Sequence, residues 1–107
     1  MGKSRRVVLA TRYFDRVGEA KAFFSAMLQS YKIGEQVTAA DAADLSALLD
    51  RHDEREQKIG GGIAGFKVDI PPRDVPQFSD RCFWIIRSDG SEIDFSIGHC
   101  LESKPYD

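Results

Sequence analysis

The segment Lys58-Ile59-Gly60-Gly61-Gly62 places a cation ahead of a run of glycines. Glycines let backbone N–H groups approach an anion closely, and a neighbouring lysine adds charge, so this is a candidate phosphate cradle. Its order differs from that of a P-loop: the lysine precedes the glycines, and neither Ser nor Thr follows them. A glycine turn leading into a strand is the stronger reading. Lys58, Gly60 and Gly62 are kept as candidate contacts to RNA or another ligand. A second group lies in the stretch Arg81 to Ile97, where Phe83, Arg87, Asp94 and Ser96 are predicted to share one face of a hairpin, with Lys67 beside them and Arg81 at the start. An aromatic ring among cations on an open sheet suits single-stranded RNA, whose bases stack on rings and whose phosphates meet positive charge. Glu92 and Asp94 oppose phosphate. Arg87 set against Glu92 would make an ordinary cross-strand pair, worth from a few tenths to about 1 kcal/mol.

His52, His99, Cys82 and Cys100 supply the atom types that bind zinc, but their spacing lacks any Cys-x-x-Cys or His-x-x-x-His pair. His99 and Cys100 are adjacent, and on a strand they would point to opposite sides. His52 is read as the end of a helix, where a cation suits the negative dipole. Cys100 with either histidine lacks an orienting third group and an oxyanion loop. Asp89 belongs to a turn, so Asp89 and Asp94 do not define a nuclease metal pair. No catalytic residue, metal or cofactor is expected.

These side chains need elements to hold them. Val7 to Tyr13 reads as a first strand. Ala20, Phe23, Phe24, Met27, Leu28 and Tyr31 recur at the spacing of one helical face, which predicts a helix over 17–31. Thr38-Ala39-Ala40-Asp41 is a near capping box that starts a second helix, fading near Arg51 or His52. Asp50 to Lys58 is polar enough for a solvated connector or a frayed helix end. Ile63 to Ile70 alternates as a half-buried strand, stopped by Pro71-Pro72, and a polar loop with Pro76 and Phe78 spans 73–80. Asp89-Gly90 signals a two-residue type I′ turn. That turn sets Arg87 against Glu92, Ile86 against Ile93, Ile85 against Asp94 and Trp84 against Phe95. The expected core face is then Cys82, Trp84, Ile86, Ile93, Phe95 and Ile97. The predicted class is α+β, a small antiparallel sheet with two helices packed on one face, in the order β-α-α-β-β-β.

The chain has 107 residues, 15 Lys plus Arg, 17 Asp plus Glu and a formal net charge of −2. That length predicts a single domain over residues 1–107, with a core from about 7 to 101. The near-neutral balance argues against a generic polyanion binder. It conceals segregation, with bases at Lys3, Arg5, Arg6 and Arg12 and near the hairpin at Arg73, Arg81 and Arg87. The acids gather at Asp41, Asp44, Asp50, Asp53, Glu54 and Glu56. No apolar run approaches the roughly 20 residues a membrane span requires, and no membrane partner is expected. The Met-Gly start lacks the Ser or Thr that N-myristoylation wants, because Arg6 stands there. Cys82 and Cys100 sit among apolar or small neighbours and are read as reduced, which fits a cytoplasmic chain.

From Leu48 onward the sequence resembles the DCL-like family, named for the plant "defective chloroplasts and leaves" protein. The resemblance rests on Leu48-Leu49, Arg51-His52, Lys58-Ile59-Gly60-x-Gly62-Ile63, Phe66-x-Val68, Arg81-Cys82-Phe83-Trp84, Arg87-x-Asp89-Gly90-Ser91, Asp94-Phe95-Ser96 and Cys100-Leu101. Ala22-Phe23-Phe24 and Tyr31-x-Ile33-Gly34 upstream also fit. Plant members are associated with plastid ribosomal RNA processing, and a related domain ends the largest subunit of a plant RNA polymerase used in gene silencing. The resemblance therefore implies a small non-enzymatic module that binds RNA or a ribonucleoprotein in RNA processing. A protein–protein adaptor, working through the sheet edge or the 71–78 loop, is the alternative. A metal-dependent nucleic-acid hydrolase stands behind both.

Overall fold

The structure is a computed structural model that describes residues 6–72 and 81–102. The expected 73–80 loop and the basic residues Lys3 and Arg5 lie outside the described residues. The elements are β1 (Val7–Val8), β2 (Tyr13–Phe14), α1 (Val17–Gln29), α2 (Ala39–Leu49), α3 (Arg55–Ile59), β3 (Ile63–Asp69), β4 (Cys82–Arg87), β5 (Glu92–Phe95) and α4 (Ile97–Cys100). The α+β class holds, with a correction to the order. The first strand is instead a small antiparallel hairpin, β1-β2, forming a sheet of its own, and two short helices join the two expected ones.

The two long helices form where the periodicity places them. α1 buries Ala20, Phe24, Met27 and Leu28 on one face. Thr38 caps α2, its hydroxyl accepting from the Asp41 N–H at 3.2 Å. α2 buries Leu45, Ala47, Leu48 and Leu49, and also Asp44. A buried carboxylate needs a partner. Arg12, in the β1-β2 turn, supplies it with a two-pronged contact, Nε to Oδ1 at 3.1 Å and Nη2 to Oδ2 at 3.0 Å. That pair ties the small hairpin to α2.

The main sheet has the order β3-β4-β5, antiparallel throughout. The Gln36 segment adds a bridge on the free edge of β3, opposite Lys67. Phe66, Val68, Phe83, Ile85 and Phe95 join the apolar faces of α1 and α2 in one core.

The β4-β5 register differs from the expected one by a single residue: Phe83 faces Phe95, Trp84 faces Asp94, Ile85 faces Ile93 and Ile86 faces Glu92. The cause is the turn. The Arg87 N–H donates to the Ser91 carbonyl at 2.8 Å, and the Gly90 N–H to the Arg87 carbonyl at 2.9 Å. Gly90 sits at φ +90°, so Ser88, Asp89 and Gly90 form a three-residue loop with glycine in the left-handed position. A slip of one residue against β5, which keeps Ile93 and Phe95 on the core side, turns every β4 side chain to the opposite face. Phe83 and Ile85 are therefore core, and Trp84, Ile86 and Cys82 belong to the outer face. The outer face is polar around its tryptophan. Lys67 pairs with Asp69 at 2.8 Å and with Glu92 at 2.7 Å, and its ammonium lies 5.9 Å from the Trp84 ring centre.

Candidate functional site

Five of the residues singled out by sequence meet where α3 abuts the β4-β5 hairpin. α3 ends at Gly60, whose φ of +58° is a left-handed conformation that suits glycine. The last carbonyls of the helix point at Arg87, whose Nε donates to the Lys58 carbonyl and whose Nη2 donates to the Gln57 carbonyl, both at 2.9 Å. Arg87 Nη1 reaches Ser91 Oγ at 3.3 Å. Lys58 Nζ crosses to the Asp94 carbonyl at 2.9 Å. A guanidinium set against helix carbonyls satisfies orphan acceptors and meets the negative helix end. Both glycines are needed for closeness as well as conformation. A Cβ on Gly60 would lie 3.3 Å from the Arg87 side chain, and one on Gly62 would lie 2.8 Å from Ser88 Oγ. The Gly60 and Gly62 N–H groups donate inward, to the Glu56 and Ile59 carbonyls at 3.1 Å each. This is a clasp that joins a short helix to a hairpin, with its amides and cations turned to the chain itself.

The other predicted contacts do different work. Ser96 caps α4 by accepting from the His99 N–H at 3.2 Å. Arg81 donates to the Tyr31 carbonyl at 2.7 Å, at the end of α1. Phe83 is 1% exposed and stacked on Phe95, so it offers no ring to a base. Lys67 lies on the outer face, not beside Phe83.

Sequence reasoning missed the outer surface of the β1-β2 hairpin. Val8 and Tyr13 are directly opposed and stand 62% and 52% exposed. The Arg6 guanidinium lies 5.7 Å from the Tyr13 ring centre, in cation–π range. Exposed Arg16 and Lys21 follow on the start of α1. Asp15, which accepts from the Tyr13 hydroxyl at 2.5 Å, and Glu19 temper the charge. The available signal was an aromatic residue set between arginines, Arg12-Tyr13-x-x-Arg16, read instead as strand interior.

The cysteines and histidines are also placed. Burial, followed by the charges of Asp94 and Asp69, pushes the Cys82 thiol up to about 11, so it stays protonated and unreactive at neutral pH. His52 and His99, which sequence spacing keeps apart, stack with ring centres 4.3 Å apart, because the short helix α4 after the hairpin carries His99 to the end of α2. Burial, and then the nearby His99 and Lys58, lowers the His52 pKa below its ordinary 6.5.

The model of a family described as a protein of unknown function, DUF3223, matches residues 25–101 of the chain. The chain belongs to the DUF3223 family. This DUF3223 domain is 43% identical over 58 residues to the Arabidopsis thaliana protein EMBRYO DEFECTIVE 514, covering 54% of this chain and 27% of that protein. It is 34% identical over 74 residues to the chloroplastic protein DCL of Solanum lycopersicum, covering 67% and 31%. It is 31% identical over 75 residues to DNA-directed RNA polymerase IV subunit 1 of Arabidopsis thaliana, covering 70% and 5%. The domain thus spans less than a third of each of these relatives. The DCL-like assignment from sequence stands. A solution NMR structure of an uncharacterised Rhodospirillum rubrum protein superposes with a TM-score of 0.78 at 37% identity, covering 94% of this chain and 91% of that one. Among the described residues, no helix is long and apolar enough to cross a membrane.

Proposed function

We propose that this DUF3223 domain is a non-enzymatic module that contacts RNA or a ribonucleoprotein through its β1-β2 hairpin. The observation that carries the reading is the exposed Tyr13 ring with Arg6 above it and Val8 beside it. A half-exposed ring can stack a base, and the arginines can meet the flanking phosphates. The same reasoning moves the contact away from Lys58 and Arg87, whose donors already serve carbonyls of the chain. One relative is a subunit of a DNA-directed RNA polymerase, a setting in which a domain of this kind would meet nucleic acid. The net charge of −2 restricts the contact to a modest, local one.

The test is fluorescence anisotropy with a labelled single-stranded RNA at about 50 mM salt, repeated at higher salt. Binding that weakens with salt, and weakens about tenfold in Tyr13→Ala, is the expected result, since base stacking is worth about 1–3 kcal/mol. Absence of binding at low salt would end this reading. A second reading, a protein adaptor, draws on Ile33 and Ile70, both exposed, one just before the 34–37 segment that pairs with β3 and one just after β3. A stoichiometric protein partner that survives nuclease treatment and is lost in Ile70→Asp would favour it.

A further inference from the structure

We propose that His52, Asp53 and His99 form a binding site for a first-row transition-metal ion of the Zn2+ type. The site goes beyond the RNA reading and stands independently of it. Each residue brings one donor atom, and the three lie within 4.8 Å of one another. Asp53 Oδ1 is 2.6 Å from His99 Nε2 and 3.6 Å from His52 Nδ1. Around a tetrahedral zinc with bonds of about 2.0–2.1 Å, donor atoms sit about 3.3 Å apart. The longer edge is close to that spacing, and the shorter, a hydrogen bond, opens by less than about 1 Å to reach it. Two imidazoles and a carboxylate suit the borderline ions, and three protein ligands leave a position open to solvent.

The backbone around the donors is held in place. Arg51, buried beside His52, donates from Nε to the Cys100 carbonyl at 2.8 Å and from Nη2 to the Glu102 carbonyl at 3.2 Å. That bracket fixes α4 against the end of α2, and Ser96 caps α4 one turn before His99. His52 is buried, whereas Asp53 and His99 reach solvent. The surroundings favour a cation, since Asp50 and Glu56 line the shallow depression shared with His52 and Asp53, and Glu54 adjoins it. Arg55 and Lys58 moderate that field.

Three adjustments accompany binding, the first being loss of the 2.6 Å hydrogen bond between His99 Nε2 and Asp53 Oδ1, whose proton leaves as the ion enters. The His52 Nδ1 lone pair now accepts from the Glu54 N–H at 3.0 Å, and a metal at Nδ1 displaces that bond. The imidazole planes are stacked at 28°, so His99 must rotate for its lone pair to converge on the ion. These costs place the affinity below that of a closed structural zinc site. Once formed, the site staples α4 to the α2-α3 junction.

The experiment uses the full chain stripped with chelator and titrated with Zn2+ by calorimetry, and with Co2+ by visible absorption. One equivalent of saturable binding is expected, with Co2+ d–d bands of a four- or five-coordinate ion and shifts of both histidine ring nitrogens in 15N spectra. His99→Ala and Asp53→Asn, both at solvent-accessible positions, should each weaken Zn2+ binding more than about tenfold. Weak, unsaturating binding, unchanged affinity in both variants, or shifts confined to one histidine would overturn the assignment.

Discussion

The α3–hairpin clasp and the β1-β2 hairpin contain the same ingredients and put them to opposite uses. In the clasp, Lys58 and Arg87 spend their N–H groups on the carbonyls of Asp94, Lys58 and Gln57. In the small hairpin, Arg6 lies over an exposed ring. The glycine-rich segment looks like an anion cradle in sequence, but the Gly60 and Gly62 amides point inward and their missing Cβ atoms make room for Arg87 and Ser88. The contrast teaches that residue type announces charge, whereas the destination of each donor decides whether that charge is offered outward.

Breaking the contrast begins with Phe83. If it is core, Phe83→Ala should cost about 3–5 kcal/mol, read from urea denaturation. A cost below about 1 kcal/mol would return the ring to the surface and restore it as a stacking platform. Next is the clasp. Arg87→Ala should lose about 2 kcal/mol, within the range for hydrogen bonds to a charged group, and Arg87→Lys should recover little because a single ammonium cannot span both carbonyls. Tyr13→Ala should change stability by less than about 0.5 kcal/mol, as exposed substitutions do, while costing the tenfold in RNA affinity given above.

The smallest effect concerns the Lys67–Asp69 pair on the outer face. The Lys67 ammonium, followed by the Ile70 N–H, lowers the Asp69 carboxyl below 3.8. Its stabilising contribution is present above that ordinary value and is lost as pH falls through the lowered one. Bonds to Asp69 and Glu92 raise Lys67 above 10.5, so its contribution is present below that value and lost as pH rises through the raised one. Asp69→Asn should flatten the acid limb of a stability-against-pH curve by up to about 1 kcal/mol, the scale of a surface pair.

The long helices were legible because their apolar spacing is unambiguous and Thr38 announces a cap. The hairpin register was not. Both faces of β4 are apolar, Phe83-Ile85 on one side and Trp84-Ile86 on the other, so alternation alone could not choose between them. Asp89-Gly90 fits a two-residue loop and a three-residue loop equally, since each can place glycine at positive φ. α3 escaped notice because Arg55–Ile59 is short and polar, stabilised by Arg87 from far along the chain and not by its own periodicity. The β1-β2 hairpin likewise depends on a tertiary pair, Arg12 with Asp44. The proximity of His52 and His99 is a product of folding that no local spacing encodes.

Amide and side-chain chemical-shift mapping of the 15N-labelled protein, titrated with single-stranded RNA at about 50 mM salt, puts the contrast to its most direct test. The account predicts perturbations concentrated at Arg6, Val8, Tyr13 and Arg16, with Lys58, Gly60, Gly62 and Arg87 unmoved. Perturbations centred on the clasp, with the small hairpin silent, would contradict it.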